Sequence, residues 1–301
     1  MKYLFISMAG LLMLSCNKGK FKHDASGTFE ATETTISANA SGRVEQFNIT
    51  EGDVLTTGMY LGYIDTTQLH LKKLQLMVTM KSVLSKRPDV SLQVASIREQ
   101  IGLTETEKAR IENMFKDGAA TQKQVDDINS QLNVLRKNLQ AQLNTLSTSD
   151  RSIVDESEIY AVQIKQTEDE IEKSRIVNPV NGVVLAKYIQ EKEMVGSGSS
   201  LYKIADTKHL FLRAYIISGL LNTVSIGQDV TVYIYLKEND YREYPGKVTW
   251  ISDKAEFTPK TIQTKDERQN LVYAVKIAVG NSDGLIKIGM YGDVDFKQQQ
   301  Q

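Results

Sequence analysis

One thiol and three imidazoles are the strongest nucleophiles and metal ligands in this chain, and their spacing argues against catalysis. Cys16 is the single cysteine, and His23, His70 and His209 are scattered along the sequence, whereas metal sites gather three or four Cys, His or carboxylate ligands at short spacings. No phosphate-cradling loop and no serine elbow is present. The glycine-rich stretch GSGSS at 196–200 reads as a turn. These residues point to no enzyme, no cofactor and no metal. With 36 basic against 37 acidic side chains, nothing in the overall balance calls for nucleic acid or another polyanion.

Cys16 stands in a telling context nonetheless. Residues 1–15, MKYLFISMAGLLMLS, place a lysine before an apolar run too short to span a bilayer comfortably, which is the layout of a secretory signal peptide. The run ends at LSC. This junction resembles the lipobox of bacterial lipoproteins, with Ser15 in the pattern and Met13 and Leu14 looser than usual. The resemblance implies acylation of Cys16, which would tether an otherwise soluble chain to a membrane surface. Asn17 does not decide which membrane.

The elements that must position any binding surface come in two textures. Ile36 to Thr67 shows brief apolar alternations broken by Gly42, Gly52, Gly58 and Gly62, a β pattern with tight turns. Shifted by 140 positions, it recurs at 176–207: Gly42 matches Gly182, Val44 matches Val184, Glu51 matches Glu191 and Leu61 matches Leu201. Neither half of roughly 32 residues buries enough to fold alone, so the two are expected to close one small sandwich. Between them, residues 68–175 are dominated by Lys, Glu, Gln and Leu, all strong helix formers. Val125, Ile128, Leu132, Leu135 and Leu139, continuing to Leu143 or Leu146, step by three and four as a coiled-coil seam does. On the first arm Ile97, Ile101, Ile111 and Phe115 keep the phase, interrupted by Thr104 and Lys108. The arms meet at KDGAAT, 116–121, where Gly118 suits a helix C-cap and Thr121 an N-cap. Pro88 and the run LSTSDRSIVDES around Asp150 lie at matching distances from that tip, which predicts that both arms break at one height. After Asp206 the chain returns to strand-like runs separated by Gly, Asn or Pro.

A repeat split by a helical hairpin resembles the HlyD-type periplasmic adaptors, or membrane fusion proteins, most closely those serving ABC-type transporters. AEFTPKTIQTKDERQNLVYAVKI at 255–277 and LIKIGMYGDVDF at 285–296 add to the likeness, although Ile288 stands where many relatives have proline. The resemblance implies an elongated multidomain α+β fold: a lipoyl-like β-sandwich split by a long antiparallel α-helical coiled-coil hairpin, then a β-barrel and a membrane-proximal β domain. It orders the chain as signal peptide 1–15, linker 16–27, membrane-proximal strand 28–35, lipoyl-like half 36–67, hairpin 68–175, second half 176–207, β-barrel 208–265, membrane-proximal domain 266–297 and polar tail 298–301. The tip resembles the adaptor motif that engages TolC-like outer-membrane channels, carried here by Arg110, Met114, Ala119, Thr121 and Asp126 with Gly118 at the turn.

The family's partners would be that channel, an inner-membrane transporter of permease and ATPase subunits, the membrane through a lipid anchor at Cys16, and further copies of the chain in a ring. ATP hydrolysis would belong to the transporter. The implied location is the periplasm, anchored to the inner membrane, in efflux or secretion of an unspecified cargo. Two alternatives stay open: an adaptor of a proton-driven pump of RND or MFS type, and a lipid-anchored scaffold or binding module without a channel role. A lipoyl or biotin carrier is disfavoured, because the turn that would bear the modified lysine is replaced by the hairpin. Lys72 and Lys73 at its base read as solvated charges.

Overall fold

The computed structural model describes residues 23–237, 240–257 and 271–296. The expected signal peptide, Cys16, the polar tail and the middle of the 255–277 stretch lie outside the described residues.

After β1 (Ala25–Glu30) the chain forms β2 (Glu33–Ser37), β3 (Gly42–Phe47), β4 (Val54–Leu55) and β5 (Tyr60–Ile64). It then leaves as α1 (Thr67–Leu84), α2 (Val90–Lys116) and α3 (Gln122–Lys173), and returns as β6 (Arg175–Val177), β7 (Gly182–Lys187), β8 (Met194–Val195) and β9 (Ser200–Ala205). The two segments do not make one sheet each. One sheet runs β2-β9-β7-β4 and the other β6-β5-β3-β8, so every sheet takes strands from both sides of the hairpin.

The 140-residue repeat is a twofold exchange of hydrogen bonds. The Glu51 carboxylate accepts from the Lys187 amide (3.1 Å) and that of Glu191 from the Phe47 amide (2.9 Å). Gly52 N donates to Val184 O and Lys192 N to Val44 O; Gly58 N donates to Asn178 O and Gly198 N to Ala38 O. Lys192 even adopts the left-handed φ (71°) of its counterpart Gly52 (94°). Thirteen buried residues, among them Val44, Phe47, Leu61, Ile64, Val184, Leu201, Tyr202 and Ile204, form the shared core.

Polar groups in that core are paired. The Tyr202 hydroxyl donates to Asn178 Oδ1 (2.9 Å), and Asn178 Nδ2 donates to Thr56 O (2.9 Å) and Val180 O (2.5 Å). Burial pushes the Tyr202 phenol up to about 12 from 10.0. Tyr202→Phe leaves a buried amide oxygen without a donor and is expected to cost about 1–3 kcal/mol in urea unfolding. The raised pKa also makes stability fall at high pH: the contribution is complete below the ordinary phenol range and drains as pH rises through about 12. The variant should lose that part of the alkaline slope.

The ascending arm breaks where proline demands it. Residues 85–89 separate α1 from α2, and Asp89 caps α2 by accepting from Leu92 N (3.1 Å). The break expected opposite it does not occur: α3 is one helix of 52 residues running through Asp150. The threonines before Asp150 leave the backbone intact because their hydroxyls turn back onto helix carbonyls, Thr145 to Ala141 O and Thr148 to Asn144 O. Asp150 caps nothing. It accepts from Arg87 Nε (2.7 Å) and Nη2 (3.1 Å), bracing the gap between α1 and α2, and this pairing holds its carboxyl below the usual range. Hydrogen exchange should therefore be faster across 85–91 than across the facing 146–154. Equal protection on both arms would contradict a one-sided break.

The rest of the chain forms β10 (His209–Ile217), a 3-10 turn (Ser218–Thr223), β11 (Asp229–Lys237), β12 (Asp240–Ile251), β13 (Glu256–Phe257), β14 (Leu271–Gly280) and β15 (Tyr291–Phe296). Strands β10-β1-β15-β11-β12-β14 close on themselves through β14 to β10, and the two-residue β13 extends along β14. Inward alternation at Leu210, Leu212, Ala214 and Ile216, at Val230, Val232 and Ile234, and at Phe29, Ile277 and Val294 fills the barrel. Of the segments expected as membrane-proximal, 28–35 is divided between the end of β1 in this closed sheet and the start of β2 in the sandwich, and 266–297 supplies β14 and β15 to the closed sheet. Closure gives β1, β14 and β15 each a partner on both edges, which a separate three-stranded unit would not.

Candidate functional site

The far end of the hairpin carries every residue of the expected tip motif, and leaves all of them exposed. Helix α2 ends with Gly118 N bonded to Phe115 O (3.1 Å) and Ala119 N to Met114 O (2.7 Å). Gly118 takes φ +74°, and a Cβ there would meet nothing within 4 Å. Thr121 opens α3 through a capping box: its amide donates to Gln124 Oε1 (2.8 Å) while its hydroxyl accepts from Gln124 N (3.4 Å).

Arg110 and Asp126 are not paired with each other. The Arg110 guanidinium reaches Glu107 on its own helix (2.8 Å), and Asp126 accepts from Gln122 Nε2 (2.8 Å). Both stand outward, available for contacts with another surface. Met114 is 40% exposed and so is Phe115, at 41%. Phe115, assigned by its spacing to the seam, belongs instead to the tip, because the last turn of α2 has passed the point where α3 can cover it. The seam below is as the periodicity indicates: Ile128, Leu132 and Leu146 are buried, Val125, Leu135 and Leu139 half-buried. Thr104 and Lys108 occupy it facing α3 as half-buried polar positions, and Arg136 bridges to Glu105 across the arms (2.7 Å).

A second surface lies nearer the sandwich. On α1, Leu69, Lys73, Leu76, Met80 and Val83 are buried or half-buried towards α3. Half a helical turn away, Leu71, Leu74 and Val78 repeat at three and four residues and are 55%, 58% and 61% exposed. On α3, Ser157, Ile164 and Thr167 face α1, while Ile159 and Val162, 59% and 55% exposed, look the opposite way. The ion pairs Lys73–Glu168 (2.8 Å) and Arg87–Asp150 (2.7 Å) set the antiparallel register, and this puts Val78 level with Val162. The hairpin thus has an apolar strip on each outer edge at one height. The sequence held this signal as a second heptad-like phase on α1, masked by the stronger one that makes the seam.

No family model matches the chain. Among curated proteins it is similar to the UPF0194 membrane protein YbhG of Salmonella paratyphi B and of Salmonella newport, each 24% identical over 300 residues that cover 91% of this chain and 88% of the relative. Among solved structures it is similar to MacA from Actinobacillus actinomycetemcomitans, with a TM-score of 0.54 and 19% identity over 91% of this chain and 78% of that one. The membrane fusion protein Spr0693 from Streptococcus pneumoniae R6 gives a TM-score of 0.51 and 16% identity over 91% and 98%. With its split sandwich, its long hairpin and its closed barrel, the chain has the fold of the membrane fusion proteins, the family its sequence resembles.

Proposed function

We propose that this chain is a periplasmic adaptor of a tripartite export system, joining an inner-membrane transporter of ABC type to a TolC-like outer-membrane channel. The observation that carries this reading is the tip itself. A 52-residue helix and its broken partner end in a small-residue turn flanked by outward Met114, Phe115, Arg110 and Asp126. A glycine turn permits close approach by another helical tip, the apolar pair offers knobs, and the two charges offer charge-assisted hydrogen bonds. The work is mechanical: several copies side by side would line a conduit, and the outer strips of α1 and α3 supply faces for that packing. The lipid anchor at Cys16 would hold the assembly at the inner membrane. Cys16→Ala is expected to release the chain from membranes or leave its precursor uncleaved, read by fractionation and lipid labelling; a lipid-labelled product from this variant overturns the anchor. Cross-linking from the tip in cells, followed by mass spectrometry, tests the function. A channel protein cross-linked at the tip supports it. Cross-links only to a proton-driven pump's subunits, or to none, favour the alternative readings.

A further inference from the structure

We propose that the barrel end farthest from the sandwich seats on a lipid bilayer through an apolar rim of Ile217, Ile226, Phe257 and Leu271. Strand order and register bring these four to one end. β10 and the β12–β13 arm finish there, β11 and β14 begin there, and β1 begins beside the end of β10. The joints to the sandwich, residues 31–32 and 206–208, lie at the other end. Each rim residue sits at a strand terminus or in the turn before β11, and their exposures are 48%, 68%, 85% and 49% in the order named. Such large apolar groups gathered at one end mark a contact surface. Trp250, one residue before the end of β12 and 40% exposed on the wall beside the rim, is the side chain that suits the headgroup level.

The chain preceding the barrel commits this surface to lipid. Residues 1–22 join the described chain at His23, at this same end, and the join is fastened. The His23 ring lies between Asp295 (3.0 Å) and the Tyr235 hydroxyl (2.9 Å), Asp24 N donates to Val294 O (3.1 Å), and Phe296 N donates to the Asp24 carboxylate (2.9 Å). Fully extended, the backbone from Cys16 to His23 reaches about 25 Å. A lipid on Cys16 therefore keeps the rim within that distance of the bilayer. There, seating the exposed Ile226 and Phe257 removes apolar surface from water and adds to the hold of the lipid itself. The proposal rests on the anchor reading, and its test separates the two.

Trp250 is the chain's one tryptophan and serves as the reporter. The full chain is placed in vesicles of phosphatidylethanolamine and phosphatidylglycerol, plain or with acyl chains brominated near the carbonyl. Flotation reports the anchor, and bromine quenching of Trp250 reports the rim. The expected result is quenching with a blue-shifted emission, both lost in the double variant Ile226→Glu, Phe257→Glu although that protein still floats. A wild-type chain that floats with Trp250 unquenched overturns the proposal, as it would if the rim docked on a transporter instead. Equal quenching in the double variant overturns it too. Cys16→Ala that still floats and is quenched removes the anchor and leaves the rim sufficient by itself.

Discussion

Export should collapse in Met114→Glu and in Gly118→Asp while the hairpin folds as before. Neither position contributes much to the isolated chain. Met114 is 40% exposed, glutamate is as good a helix former, and nothing lies within 4 Å of a Cβ on Gly118. Aspartate tolerates the left-handed conformation better than most residues, so the backbone cost at Gly118 stays about 1 kcal/mol. Against a partner helix tip the effect is of another size. A carboxylate at the centre of a contact that seats an apolar knob and a bare turn costs about 2 kcal/mol or more, ~30-fold in affinity. Circular dichroism and hydrogen exchange should match the parent, and tip cross-links to the channel and cargo efflux should both fall. Thr121 is a poorer probe, because its capping box with Gln124 also holds the start of α3, so its loss mixes folding with docking. Unchanged cross-linking in both variants sinks the tip reading.

How much of this was legible beforehand depended on the range of the forces involved. The split repeat could be read because a turn glycine, a strand valine and a buried leucine are each dictated within a few residues, and the same needs arise twice. What the repeat could not reveal was that each sheet mixes both halves, since Glu51 meeting Lys187 and Glu191 meeting Phe47 are contacts across the whole hairpin. Pro88 was a sound breaker because its effect is covalent. Asp150 misled because a serine, threonine or aspartate breaks a helix only when its side chain wins the local competition. Here Arg87, 63 residues away in sequence, claimed the carboxylate. The assignment of β1, β14 and β15 to the barrel is likewise a matter of closure, set by pairings such as Ser26 with Tyr215 and Val230 with Phe296. At the candidate site the motif residues were legible from spacing, while Phe115 and the outer strip of α1 needed the end and the face of a helix to be located in space.

The second large effect concerns that strip and a charge placed in it. If copies pack side by side with the hairpins along the ring axis, equal heights meet, so Val78 on the outer edge of α1 faces Val162 on the outer edge of α3 of the next copy. The two faces differ, which makes the contact heterologous, and a heterologous contact whose rotation closes builds a ring. Val78→Glu alone, or Val162→Lys alone, buries an unpaired charge in every interface. That costs about 3–5 kcal/mol per contact, roughly 10²- to 10⁴-fold in association, and both variants should sediment as monomers that do not support export. Carried together in one chain, the two substitutions give each interface a glutamate from one copy and a lysine from its neighbour, so assembly should return in part. The hairpin itself is indifferent, because the two sites lie on opposite edges, more than half exposed, and cannot pair within one copy. Rescue by the double variant therefore reports an intermolecular contact between these edges. Single variants that assemble normally would show that the strips face something other than a neighbouring hairpin.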